Sequence, residues 1–393
     1  MSEQVFAPSA LGNWLAEKFS RTGKSVELHE PQLGAAEEAE VLDCVRSGFV
    51  STVGPRVAEF ERALADFTGA KYAIAVVNGT AALHLSLLLA GVQAGEEVIV
   101  PALTFVATAN AVRYCGAAPC FADIEAETLG MDPIRLRMAL EADFERVGDE
   151  LRNRKTGRRV RALIAVHVFG NSCQVEGLMA VARDYGLVFI EDAAESLGST
   201  FGKQHTGTFG QFGTLSFNGN KILTTGGGGA ILTDDGEVAA RAKHLSTQAK
   251  VPHRWEFRHD AVAFNYRMPN LNAALGLAQL RSLPRILEQK RKLAAWYGRE
   301  LAGFPGLEFF EASPLGASNR WLNSVLLNPT LASHRDEVLQ AAHERKVHLR
   351  PAWTVLPQLE IFADCPAMDI PVATDIQNRL INLPSSPMLA EFL

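Results

Sequence analysis

The chain has 393 residues, 47% of them hydrophobic and 21% charged, with a net charge of −6 and a pI near 6.0. That composition predicts a soluble globular protein with room for two domains. It argues against a nucleic-acid binder that works through a broad basic surface. The cysteines Cys44, Cys115, Cys120, Cys173 and Cys365 are odd in number and form no CxxC pair. They predict reduced thiols in a cytoplasmic compartment, and no His/Cys/Asp/Glu cluster has metal-ligand spacing. Met1 to Val5 lacks the basic start and apolar core of a signal peptide. No apolar stretch reaches the roughly 18 residues a membrane span needs.

The first ~30 residues give no clear period. Ala35 to Arg46 has helical spacing and stops at Gly48, and Val57 to Phe67 places Phe60, Leu64 and Phe67 on one helix face. Tyr72 to Val77 is a short apolar run that breaks at Asn78-Gly79-Thr80, and Ala81 to Ala90 then looks helical. The same strand-then-helix alternation recurs. Glu97 to Val100 is followed by Thr104 to Tyr114, Pro119 to Ala122 by Pro133 to Glu141, and Ala162 to Val166 by Val175 to Tyr185, with Leu187 to Ile190 as a further strand. Short apolar strands alternating with helices predict an α/β fold with a mostly parallel sheet covered on both faces. Ligands in such sheets bind at the carboxyl ends of strands. Polar groups converge there: Asn78-Gly79-Thr80, Pro101 to Phe105, His167, and Glu191-Asp192.

Between Asp143 and Arg161 six basic residues crowd around Thr156-Gly157, which reads as a solvated surface hairpin. Asn270 to Leu301 is a long helical pattern interrupted at Pro284, where a kink is expected. Beyond it come a strand pattern over Trp321 to Leu327 and a helical one over Ser333 to Arg345. The expected organisation is a large domain over 1–270, a connecting helix over 271–302 and a small C-terminal α+β domain over 303–393.

The chemistry centres on Lys221. It follows the strand-like piece Thr214 to Phe217, precedes the four glycines Gly226 to Gly229, and lies 29 positions after Asp192. An aldehyde cofactor of the pyridoxal phosphate type needs two such groups: an amine for a Schiff base and a buried carboxylate for its pyridine nitrogen. Asp192 supplies the second, although an acid at a strand end can also cap the next helix. Glu195 is placed to meet the cofactor ring hydroxyl or the substrate, or else to lie on a solvated helix face. Gly79-Thr80-Ala81 opens a helix whose free N–H groups suit a phosphate, and Ser216 adds a hydroxyl. Phe105 stacks on the ring or packs in the core; position alone does not choose. The tetraglycine lacks either phosphate-loop spacing and reads as backbone flexibility beside the lysine.

With these motifs in view, the chain resembles the nucleotide-sugar aminotransferases of the DegT/DnrJ/StrS type over about Phe49 to Pro387. The resemblance is carried by Gly69 to Tyr72, Val77 to Leu83, Pro101 to Thr108, Glu191 to Glu195, Ser216 to Gly229 and Asn265 to Asn270. It implies the fold-type-I aminotransferase architecture and pyridoxal 5'-phosphate as cofactor. Lys221 would form the Schiff base and move the proton, and Asp192 would hold the ring nitrogen. Glu195 would lie near the ring hydroxyl, Thr80, Ala81 and Ser216 would bind phosphate, and Phe105 would cover the ring. Asn265 would reach the cofactor of a neighbouring subunit, which implies a homodimer with shared sites. Phe217-Asn218-Gly219-Asn220-Lys221 with the glycines that follow resembles the branch of the bacillosamine and legionaminic acid pathways. That branch aminates UDP-linked, sometimes GDP-linked, 4-keto-6-deoxy-N-acetylhexosamines with L-glutamate as donor. Asn218 stands where many relatives have histidine, and Glu195 where many have glutamine. Some members carry histidine in place of the lysine and are dehydratases; Lys221 argues against that activity. The sugar diphosphate needs cations, and Arg56, Lys250, Arg254, Arg267 and Arg320 are the candidates, with His167 and Asn218 as further substrate contacts. The rival readings are a lyase or desulfurase on the same fold and a non-enzymatic cofactor-binding regulator.

Overall fold

The computed structural model describes residues 6–393. Its main sheet is built on seven strands: β1 (Tyr72–Val76), β2 (Glu97–Pro101), β3 (Ala118–Ala122), β4 (Arg159–Val166), β5 (Val188–Asp192), β6 (Phe212–Ser216) and β7 (Gly229–Thr233). They lie in the order β1-β7-β6-β5-β4-β2-β3. The pairs β6/β5, β5/β4, β4/β2 and β2/β3 are parallel, and β7 runs antiparallel to both β1 and β6. Parallel neighbours need a crossover; a helix supplies it from β2 to β3 and from β4 to β5, while the connection from β5 to β6 carries only the hairpin Thr200–Phe201 with Gln204–His205. The chain passes from β6 to β7 through the loop of Lys221, and β7 returns antiparallel beside β6. Strands covered on both faces are buried along their length, which explains the apolar runs in the sequence.

The predicted helices are present. Arg56–Thr68 buries Phe60 and Leu64 and ends at Gly69 in the left-handed region, with φ +80°. The basic segment forms a hairpin, Phe144–Val147 with Glu150–Asn153, and its second strand joins the edge of β4. Its charges are paired locally, Arg152 with Glu150 at 2.7 Å, Arg154 with Glu145 at 3.1 Å and Lys155 with Asp143 at 3.4 Å. Such exposed pairs contribute little stability, but they leave no concentrated positive field.

The helix Asn270–Glu300 runs through Pro284 without a break, the proline lying on its exposed side. It joins two apolar cores. Ala273, Leu277, Leu283 and Ile286 pack with the main sheet, while Leu293, Trp296 and Tyr297 pack with a second core. That second core lies against a four-stranded antiparallel sheet made of Leu307–Phe309, Asn323–Leu327, Leu380–Leu383 and Arg350–Pro351. The N-terminal helix Pro8–Lys18 belongs to this core through Leu11 and Leu15, so the chain's first helix packs with its last hundred residues. No helix among the described residues is long and apolar enough to cross a membrane.

Candidate active site

The carboxyl ends of β1, β2, β4, β5 and β6 open into a cavity of about 750 Å³, a size suited to a cofactor and a small substrate. Lys221 enters it from the loop after β6. The loop is held by Lys221 N–H donating to Asn218 O at 3.0 Å and by Trp321 Nε1–H donating to Asn220 O at 2.7 Å. Lys221 Nζ lies 3.1 Å from Glu195 Oε1 and 4.0 Å from the centroid of the Trp321 ring. A carboxylate on one side and an aromatic face on another fix the amine in a mostly buried position.

Asp192 ends β5, where the pleat turns its side chain into the cavity. Its Oδ2 accepts from Thr108 Oγ1 at 2.8 Å and its Oδ1 from Ala194 N–H at 3.2 Å. Burial pushes its carboxyl pKa up, and the Thr108 and Ala194 donors and the charge of Lys221 act in the opposite direction. Glu195 shows the same balance: burial raises it, opposed by Lys221 and by Phe169 N–H, which donates to Oε2 at 2.9 Å. The Phe169 backbone sits at φ +55°, which aims that N–H at the carboxylate.

At another wall the helix Gly79–Leu89 begins. Asn78 caps it, its Oδ1 accepting from Ala81 N–H at 2.7 Å and its O from Ala82 N–H at 3.2 Å. Ala81 is therefore already satisfied, and the first-turn N–H groups of Gly79 and Thr80 are the ones left to face the cavity. The Thr80 and Ser216 hydroxyls border the same space. Two of the four glycines, Gly228 and Gly229, serve clearance. A Cβ on Gly229 would lie 2.5 Å from the carbonyl carbon of Asn78, and one on Gly228 would collide with Thr225 Oγ1. Only Gly226 takes a positive φ, at +78°.

Phe105 is 52% exposed, so it is not a core residue but an aromatic face offered to the cavity. Its ring stands 6.4 Å from that of Trp353, which itself lies 4.7 Å from Phe169. Of the residues singled out from sequence, Gly79, Thr80, Phe105, Asp192, Glu195, Ser216, Asn218 and Lys221 thus meet in one cavity.

The expected diphosphate cations do not. Arg267 is buried in a pair with Glu61 at 2.5 Å, and Arg56 is held by Glu59, Asp43 and Glu40. Arg320 donates to Glu311 at 3.0 Å and to Phe310 O at 3.1 Å. Lys250 and Arg254 lie against Phe257 and Trp255 on an exposed segment. His167 is fully buried below the cavity, its Nε2 at 3.1 Å from Glu191 Oε1 and its Nδ1 accepting Cys173 N–H at 3.3 Å. Held between Glu191 and the Cys173 backbone, His167 supports Glu191 and does not line the cavity. Asn265 is exposed and outside this chain's own cavity.

The sequence reading missed His29, Trp321, Arg350, Trp353 and Asn382, all of which line the cavity. They come from segments remote from the motifs, and no spacing announces them. Thr108 lay inside a quoted motif, but its contact with Asp192 depends on the fold.

A buried carboxylate, a mostly buried lysine, two free helix N–H groups with two hydroxyls, and an exposed aromatic face form a donor set that fits pyridoxal 5'-phosphate. Fold and site define a pyridoxal-phosphate enzyme of the fold-type-I class. The chain belongs to the DegT/DnrJ/EryC1/StrS aminotransferase family, whose profile matches residues 31–391. It is 36% identical over 369 residues to a GDP-perosamine synthase of Vibrio cholerae, covering 93% of this chain and 95% of that one. It is 36% identical over 374 residues to the putative pyridoxal phosphate-dependent aminotransferase EpsN of Bacillus subtilis, covering 94% and 92%. Among solved structures it is similar to the aminotransferase TlmJ of Streptoalloteichus hindustanus, with a TM-score of 0.82 and 27% identity over 92% of this chain and 93% of that one. The protein is a nucleotide-sugar aminotransferase that uses pyridoxal phosphate.

Proposed function

We propose that the enzyme transfers the amino group of L-glutamate to the C4 ketone of a nucleotide-linked 4-keto-6-deoxy sugar, giving the 4-amino sugar and 2-oxoglutarate. The observation that carries the reading is the convergence of Lys221, Glu195 and Asp192 in one cavity that also offers helix N–H groups for phosphate. Position 4 is supported by a relative, 30% identical over 379 residues, named dTDP-4-dehydro-2,3,6-trideoxy-D-glucose 4-aminotransferase. The run Phe217 to Lys221 supports a UDP-linked N-acetyl sugar, and the GDP-perosamine synthases among the relatives support GDP.

When bound, the pyridoxal ring supplies an electron sink for the carbon that gains or loses a proton. Lys221 attaches the cofactor and, once released, moves the proton at the substrate carbon as base and then acid. Glu195 orients the released amine. Asp192 keeps a proton on the ring nitrogen. Thr80, Ser216 and the Gly79 and Thr80 N–H groups hold phosphate, and Phe105 covers the ring. Arg350, with Lys221 one of the two Lys/Arg residues lining the cavity among the described residues, supplies charge for anionic substrate groups. None of the five free cysteines lines the cavity, which disfavours a desulfurase.

The test is incubation with pyridoxal phosphate, L-glutamate and a panel of UDP-, GDP- and dTDP-linked 4-keto-6-deoxy sugars, following product by mass. One nucleotide class should be aminated at least about tenfold faster than the others, and no product from any of them would overturn the reading.

The functional unit in this reading is a homodimer. Exposed apolar side chains at Phe49, Val53, Phe257 and Val262 suit an interface, and Asn265 is free to reach across it. Mixed after unfolding, inactive Lys221→Ala and Asn265→Ala chains should regain about a quarter of wild-type activity through hybrid dimers with one intact site. Mixtures that stay inactive, with both variants folded and dimeric, would rule out shared sites.

A further inference from the structure

His29 is the one histidine that lines the cavity among the described residues, and no step above uses it. It lies in the extended segment after Val26, far in sequence from every motif. The segment is pinned on both sides of it. Leu28 O accepts from Ser385 N–H at 2.6 Å, and Glu30 N–H donates to Ser386 Oγ at 2.9 Å. The imidazole therefore has a fixed origin. Its ring stands 6.5 Å from the Trp321 ring, the same indole that covers Lys221 Nζ. Both ring nitrogens are shielded from solvent; the Asn220 backbone is the one group among the described residues that acts on the ring as a hydrogen-bond partner, and it leaves the second nitrogen with none. A buried polar group without a partner is costly, and a folded chain keeps one mainly where something else completes it.

The chemistry of the ring indicates what that is. Burial and the positive charges of Lys290 and Lys221 outweigh the Asn220 backbone acceptor and hold the His29 pKa well below the usual histidine range, so the ring is neutral at working pH. Lys290 is fixed in place, donating to Trp321 O at 2.7 Å and to Ser385 O, and it does not approach as a partner. A neutral imidazole has one donor and one acceptor. A sugar hydroxyl offers the same pair in reverse. A carboxylate only accepts, and it prefers a cation. With its donor directed at the Asn220 backbone, the nitrogen left over is an acceptor, which a sugar hydroxyl can fill and a carboxylate cannot.

We propose that His29 binds a ring hydroxyl or the equivalent polar substituent of the keto sugar and so positions its ketone carbon at Lys221. This rests on the nucleotide-sugar reading above. It makes the N-terminal segment part of the sugar subsite and assigns His29 a role in the second half of the reaction alone.

The two half-reactions separate the claim from a structural one. Glutamate added to the holoenzyme changes the cofactor's absorption without any sugar present. In His29→Phe, which keeps an aromatic ring but removes both nitrogens, this change and the resting spectrum should stay within about twofold of wild type. The KM for the keto sugar nucleotide should rise about tenfold, the usual effect of losing a buried neutral hydrogen bond. His29→Asn, which restores a donor and an acceptor, should recover part of the loss. It also serves as the test variant if the phenylalanine does not fold. An unchanged sugar KM in both variants overturns the proposal, as does an equal fall in both half-reactions, which marks a structural role or an imidazole completed by water only. If wild type converts no sugar nucleotide and calorimetry shows none bound, the functional reading falls and His29 with it. If wild type converts one and the variants match it, only the His29 proposal falls.

Discussion

Replacing Lys221 with alanine is expected to abolish the visible absorption of the protein-bound cofactor and lower kcat by at least about 10³-fold. The size follows from the double duty of one amine. It is the only lysine lining the cavity among the described residues, so its loss removes both the covalent attachment and the group that carries the proton. It also leaves Glu195 buried without its ion pair, 6% exposed with Phe169 N–H as its remaining donor. Cofactor affinity should fall too, and activity is best measured at saturating pyridoxal phosphate. Lys221→Arg separates the effects. The guanidinium keeps a charge for Glu195 but is not nucleophilic, so it should restore folding stability and not absorption. An unaltered band in Lys221→Ala would exclude Lys221 as the anchor.

The alternation of apolar strands and helices was legible because strands buried on both faces must be apolar throughout. Val175–Tyr185 and the strand ends carrying Asn78, Asp192 and Ser216 lie where that pattern places them. The direction of β7 was not legible, since it depends on what connects two strands and not on the composition of either. The partners of the cations were not legible for a related reason. Charge in a sequence carries no record of its partner, and Arg56, Arg267 and Arg320 each face a glutamate that only the fold brings near. The same holds for the wall of the cavity opposite the motifs. His29, Trp321 and Trp353 come from three distant segments, and their shared surroundings arise from the packing of the helix Asn270–Glu300 and the second sheet.

Asp192→Asn is expected to retain the fold and the geometry of the site while losing about 10²- to 10³-fold in kcat, the equivalent of roughly 3–4 kcal/mol in the transition state. Asparagine keeps the shape of the side chain, and its oxygen can still accept from Thr108 Oγ1, now at 2.8 Å from Oδ2. What it lacks is charge. A neutral amide cannot hold a proton on the pyridine nitrogen, and the ring's capacity as an electron sink depends on that proton. The burial that pushes the Asp192 pKa up also withdraws water that would otherwise substitute for it. Thr108→Val provides the graded comparison. It removes one neutral hydrogen bond to the carboxylate and should cost about fivefold to tenfold in kcat, leaving the charge in place. The measurement is single-turnover kinetics of the glutamate half-reaction at saturating cofactor. An Asp192→Asn rate within threefold of wild type would show that the ring nitrogen does not depend on this carboxylate, and a Thr108→Val loss equal to that of Asp192→Asn would shift the effect from charge to geometry.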